Sequence, residues 1–182
     1  GDIRTLLEDL LALLGTGNTV PSGQPSESAP VPPHFAVIAH FYARLVERLP
    51  QGAQIFDDNI ILAQSYLKAS PQHRYFPNGG ISSLGHAFPA AIGARCAVAT
   101  PSFAILGDGG FQMCCMELMT AVNHGIPLNV LMINNGTLGL IRKNQSQLYH
   151  GRFIDCDFVN PDYALLARSF GVEGLRAEKA GD

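Results

Sequence analysis

Asp108 stands in the run Gly107-Asp108-Gly109-Gly110, and 27 positions later comes Asn135, the second residue of Asn134-Asn135, followed by Gly136-Thr137. A carboxylate, an amide oxygen and a main-chain carbonyl from the turn Gly136-Thr137 would be three hard oxygen donors of the kind Mg²⁺ takes. Mg²⁺ fills its remaining octahedral positions with phosphate oxygens and water. Gly109 and Gly110 leave the backbone bare where a helix begins, and exposed N–H groups with the positive end of a helix dipole suit a diphosphate. A diphosphate-bearing cofactor held through Mg²⁺ is the chemistry that uses every part. The plain alternative is that both runs are structural turns, since Asp-Gly and Asn-Asn-Gly are common turn residues. A dinucleotide site fits less well: Gly107, Gly109 and Gly110 do not make G-x-G-x-x-G, and no acidic residue is placed to read a ribose.

For this chemistry the two runs must meet in space, and the flanking sequence provides the means. Ser102 to Leu106 reads as a buried strand, Gly107 to Gly110 as a loop, and Met113 to His124 as a helix capped by Gly125 and stopped by Pro127. Leu128 to Ile133 is a second apolar strand. Two buried strands joined by a helix predict a right-handed βαβ crossover in a parallel sheet, hence an α/β fold with helices on both faces. Both strands end at the same sheet edge, where open α/β sheets bind ligands, so Asp108 and Asn134-Asn135 become neighbours.

Upstream, Phe35 to Leu49 reads as a helix ending at Pro50, Gln54-Ile55-Phe56 as a short strand opening onto Asp57-Asp58-Asn59, and Ile60 to Lys68 as a helix. Ser70 to Gly80 is rich in turn residues. Pro89 to Ala97 predicts a helix whose small residues let it lie close to a sheet. Tyr163 to Phe170 supplies another helix, and Gly171-Val172-Glu173 begins a further strand. The leucines between Leu6 and Leu14 make a short apolar-faced helix. Residues 1–15 therefore read as the tail of a preceding domain, 16–33 as a Pro/Ser-rich linker and 34–182 as the globular domain.

Bulk composition narrows the partners. A net charge of −3 gives no footprint for nucleic acid or an anionic membrane, and no apolar run reaches the roughly 18 residues of a spanning helix. Cys96, Cys114, Cys115 and Cys156 lack zinc or C-x-x-C spacing and read as reduced thiols of a cytoplasmic protein. The sequon Asn135-Gly136-Thr137 directly follows an apolar strand, where a glycan would be hard to place.

Gly107 to Gly110, followed at this interval by Asn134-Asn135, resembles the thiamine diphosphate signature of the family that contains acetolactate synthase, benzoylformate decarboxylase, pyruvate decarboxylase and benzaldehyde lyase. Gly79 to Gly85 with Pro89 to Ala94 resembles that family's upstream segment, and Asn135 to Gly139 its metal-binding turn. The resemblance covers about residues 52–172. It implies the diphosphate-binding domain of a thiamine diphosphate-dependent 2-oxo acid decarboxylase or carboligase. It further implies that Asp108, Asn135 and the Thr137 carbonyl hold Mg²⁺, while Gly109 and Gly110 face the diphosphate. Leu84 matches the apolar residue that bends the cofactor, the Ser82 backbone accepts from the aminopyrimidine, and Leu138 and Gly139 line the same pocket.

Two positions depart from the family pattern. Asp57-Asp58-Asn59-Ile60 replaces the usual polar, glycine- or hydroxyl-bearing loop, and two acidic residues facing a diphosphate would repel it; Asn59 alone is a weak candidate there. His86 replaces a large or aromatic residue, and is either an acid/base of the substrate pocket or a helix-start histidine with a structural hydrogen bond. The family's catalytic glutamate lies on a separate pyrimidine-binding domain, and Glu117, inside a helix, is no substitute. The resemblance thus implies a homo-oligomeric parent enzyme in which this chain alone is inactive, with a 2-oxo acid as substrate. A non-catalytic binding or regulatory module on the same scaffold is the alternative.

Overall fold

The computed structural model describes residues 30–179. The chain divides between Val31 and Pro32, and the structure described is that of the second unit. The helix expected at 6–14, and the tail and linker up to residue 29, lie outside the described residues.

After a single 3₁₀ turn at Pro33–Phe35 comes α1 (Ala36–Arg48), which buries Tyr42 completely. It stops at Leu49, held extended by the following Pro50. Strand β1 (Gln54–Asp57) is buried at all four positions, followed by α2 (Ile61–Tyr66) and β2 (Arg74–Pro77). Then come α3 (Ala87–Ala97), β3 (Ser102–Gly107), α4 (Asp108–Cys114), α5 (Glu117–Asn123) and β4 (Asn129–Ile133). Helices α6 (Gly139–Leu148) and α7 (Tyr163–Ser169) complete the described elements.

The four strands form one parallel sheet in the order β2-β1-β3-β4. Alternation along β1 and β3 feeds two cores. Phe56, Ala104 and Leu106 face α3, α4 and α5, and Tyr163, Leu166 and Phe170 of the α7 region pack against this side. Ile55 and Ile105 face α1 and α2. The chain steps from β1 to β2 in one direction and from β3 to β4 in the other, with the connecting helices on opposite faces, as crossovers of one hand require. The order therefore reverses between β1 and β3, the kind of point beyond whose strand ends α/β sheets build ligand sites.

Five features differ from the sequence expectation. The turn-rich stretch 70–80 contains β2, an edge strand that tolerates Pro77 because one of its sides needs no partner; Phe76 stacks on Phe56 at 4.8 Å between ring centroids. Gly107 to Gly110 is not a loop: Gly107 is extended (φ −81°, ψ 166°) and α4 starts at once with Asp108. The expected single helix from Met113 is divided at Cys115 and Met116. Residues Gly171-Val172-Glu173 form no strand, and α6, none of whose residues is buried, has no counterpart in the sequence expectation. The expected glycine stop after α5 is present, with Gly125 at φ 59° and Ile126 N–H bonded 2.8 Å to the Ala121 carbonyl.

Candidate functional site

Asp108 follows the last residue of β3 and is 1% exposed. Register pairs Gly107 with Ile133, so the two strands end side by side. The Asp108 carboxylate reaches across that edge: Oδ2 accepts from Asn135 N at 3.1 Å, Gly136 N at 2.6 Å and Asn160 Nδ2 at 2.5 Å, and Oδ1 accepts from Gly109 N at 3.0 Å. Four N–H donors hold this buried carboxylate in one orientation.

The other two expected oxygen donors are also here. One terminal atom of the Asn135 amide lies 2.9 Å from the Thr137 carbonyl oxygen and 3.1 Å from Asp108 Oδ1. If that atom is oxygen, three oxygens meet at one point without a proton between them. If it is nitrogen, its two hydrogens serve both acceptors. Thr137 itself is fixed by Oγ1 donating 2.7 Å to the Cys156 carbonyl and by a one-residue bridge to Asp157. Gly139 leaves room for the amide, since a Cβ there would stand 3.2 Å from Asn135 Nδ2. Among the described residues no cluster of three or more His, Cys, Asp or Glu could hold a metal. The donors at Asp108 are one carboxylate and neutral oxygens, a set suited to a hard cation that shares its shell with phosphate.

The two glycines after Asp108 are needed for close approach. A Cβ on Gly109 would fall 2.6 Å from Leu138 Cδ2, and one on Gly110 would fall 2.4 Å from Asp58 Oδ2. Gly110 therefore makes room for the Asp58 carboxylate, which the sequence reading had set against a diphosphate. Asp58 is fully buried. Its carboxylate accepts from Gly85 N at 2.6 Å, His86 N at 2.9 Å and Ala87 N at 3.2 Å, capping the start of α3 with a negative charge where the helix dipole favours one.

Asp57 points to the opposite face of the sheet and is equally buried. It accepts from Ile60 N at 2.9 Å and Tyr75 Oη at 2.6 Å. Burial raises its pKa, against the lowering effect of these donors, and burial likewise raises those of Tyr75 and Tyr42. Asn59, at φ 64°, accepts from Gln64 Nε2 at 2.6 Å.

The structure thus brings Asp108, Gly109, Asn135, Thr137, Leu138 and Gly139 into one cluster. Ser82 and Leu84 are not in its hydrogen-bond network; they lie exposed on the loop before Gly85, whose own backbone packs against Gly110. Ser82 has φ 53°, and Asn78 Nδ2 holds the loop by donating to the Ser83 carbonyl. The His86 side chain is exposed, and the bond that ties this residue down uses its backbone N–H. Glu117 accepts from Thr120 Oγ1 at 2.7 Å within its own helix. Asp58 and Asn160 are the residues the sequence reading missed as parts of the site.

Oxygen donors gathered at the carboxyl ends of β3 and β4, next to the β1/β3 switch point, define an α/β ligand-binding domain. The family model "Thiamine pyrophosphate enzyme, C-terminal TPP binding domain" matches residues 59–182, and the chain belongs to this family. Acetolactate synthase of Mycobacterium bovis is 39% identical over 126 residues, which are 66% of this chain and 20% of that one. The mitochondrial acetolactate synthase catalytic subunit of Saccharomyces cerevisiae is 37% identical over 120 residues, 64% of this chain and 17% of that one. Sulfoacetaldehyde acetyltransferase of Alcaligenes xylosoxydans is 34% identical over 122 residues, covering 66% and 20%. Among solved structures, the thiamine diphosphate-dependent 4-hydroxybenzoylformate decarboxylase of Rhodococcus jostii superposes with a TM-score of 0.68 at 25% identity, over 93% of this chain and 33% of that one. The matched part is about a fifth of the length of the acetolactate synthase relatives.

Proposed function

We propose that this domain binds thiamine diphosphate through Mg²⁺ and serves a 2-oxo acid decarboxylase or carboligase of the acetolactate synthase or benzoylformate decarboxylase type. The observation that carries the reading is the meeting of Asp108 Oδ1, the Asn135 amide and the Thr137 carbonyl at separations of 2.9 and 3.1 Å. Neighbouring oxygens around Mg²⁺, with bonds of about 2.1 Å at right angles, stand about 3.0 Å apart. With the amide oxygen turned inward, the three atoms suit one side of that octahedron, and a diphosphate and water complete it. Without a cation the same spacing suits the NH₂ end turned inward, so loading the site turns the Asn135 amide over.

Bound thiamine diphosphate supplies the electron sink for breaking the bond beside a ketone. The residues of this chain hold and orient it. Gly109 and Gly110 would face its diphosphate, Leu84 would support the bend of the cofactor, the Ser82 carbonyl would accept from its aminopyrimidine, and Leu138 and Gly139 would line the same pocket. A pyrimidine-binding domain of a second subunit supplies the remaining acid/base group, and the 2-oxo acid is bound between the two.

The test is calorimetric titration of thiamine diphosphate into the protein with and without Mg²⁺, beside Asp108→Ala. Mg²⁺-dependent binding that disappears in the variant is expected. Binding of equal strength without Mg²⁺, or in folded Asp108→Ala, would sink the proposal.

A further inference from the structure

Asn160 lies 52 positions beyond Asp108, on the loop before α7, and its amide has only one consistent orientation. Oδ1 accepts from Gln112 Nε2 at 2.7 Å and from Tyr163 Oη at 2.9 Å, and these two donors are themselves 3.1 Å apart. The NH₂ end must therefore face Asp108 Oδ2, at 2.5 Å, and Asn134 Oδ1, at 2.8 Å. Two hydrogens meet two acceptors, and the oxygen meets two donors, so every part of the amide is used.

The consequence falls on Asp108. With Asn135 N, Gly136 N and Asn160 Nδ2 all donating to Oδ2, that oxygen has no lone pair left for a cation. Oδ1 accepts from Gly109 N and is the oxygen that stands beside the Asn135 amide. Of the three donors on Oδ2, two are backbone groups of the turn; Asn160 is the one supplied by a side chain.

Resting on the functional reading above, we infer that Asn160 is a positioning residue which, by holding Oδ2, turns Oδ1 of Asp108 toward the Mg²⁺ site and strengthens cation binding there. Mg²⁺ demands near-ideal octahedral geometry, so a carboxylate with one donor fewer to fix its orientation meets that demand less well. Partners that orient metal ligands in this way typically change cation affinity by about 10- to 100-fold when removed.

The experiment titrates Mg²⁺ in the presence of thiamine diphosphate, on the unsubstituted protein, Asn160→Ala and Tyr163→Phe, with thermal unfolding as the check on folding. Tyr163→Phe keeps the ring, which packs edge-on against Phe111 at 5.5 Å, and removes only the hydroxyl that orients Asn160. In Asn160→Ala, Mg²⁺ affinity falls about 10-fold or more, and Tyr163→Phe lowers it by less. In an Asp108→Asn background the Asn160 substitution leaves the affinity unmoved. A folded Asn160→Ala with unchanged Mg²⁺ affinity overturns the inference, and if that variant does not fold, an unchanged affinity in Tyr163→Phe does so. Failure of the unsubstituted protein to bind thiamine diphosphate with Mg²⁺ overturns the functional reading instead.

Discussion

At Gly109 and Gly110 a single methyl group separates two kinds of close approach. The Gly110 methyl would sit 2.4 Å from Asp58 Oδ2, on a buried carboxylate held by three N–H groups that leave it nowhere to go. Gly110→Ala should cost about 1–3 kcal/mol of stability, as overpacking does. The Gly109 methyl would meet Leu138 Cδ2 at 2.6 Å, the free end of an aliphatic side chain that can rotate away. Urea unfolding of the two variants should show Gly110→Ala the less stable, and the opposite order would mean that Asp58 yields more easily than Leu138. The run around Asp108 was legible in the sequence because apolar strands and glycines bracket it. Asn160 was not, because Asn160-Pro161-Asp162 reads as an ordinary helix lead-in, and Asp162 does cap α7 by accepting from Leu165 N at 2.9 Å. Nothing local distinguishes an asparagine that also reaches a carboxylate 52 positions back.

Strand β1 ends in Asp57 and Asp58 follows it, and continued alternation sends the two carboxylates to opposite cores. On sequence alone they looked like one acidic patch, because the helix start that Asp58 caps lies 27 positions away. The edge strand β2 escaped notice for a related reason: its pairing with β1 is parallel and non-local, and its four residues carry no alternation strong enough to outweigh the turn residues around it. By contrast β3 and β4 are long and apolar enough to stand out. Asp57 makes a pH prediction at this scale. Burial lifts its folded-state pKa above the ordinary 3.8, so between that value and the raised one the native protein keeps a proton that the unfolded chain has lost. Stability from this group is thus present below 3.8 and is lost as pH rises through the folded pKa. Asp57→Asn removes the titration, and in denaturant melts across this range the variant should gain on the parent protein as pH rises. A constant difference would show that Asp57 titrates normally.

For the whole molecule, the two functional alternatives share a cofactor site and differ in turnover. On the proposed reading the chain alone binds cofactor without consuming pyruvate or benzoylformate, and activity appears when a pyrimidine-binding domain of the same family type is added. Cofactor binding that persists with no turnover under any such complementation would favour a non-catalytic module. The parallel sheet has a further consequence. The site joins Asp108 to residues 27, 28 and 52 positions away, so its oxygens assemble only after the crossover from β3 to β4 has closed and the Asn160 loop has docked. Such distant pairings form late on a folding pathway. A cation that needs the finished triangle of oxygens therefore leaves the rate of folding unchanged and acts on the return journey, lengthening the lifetime of the folded domain.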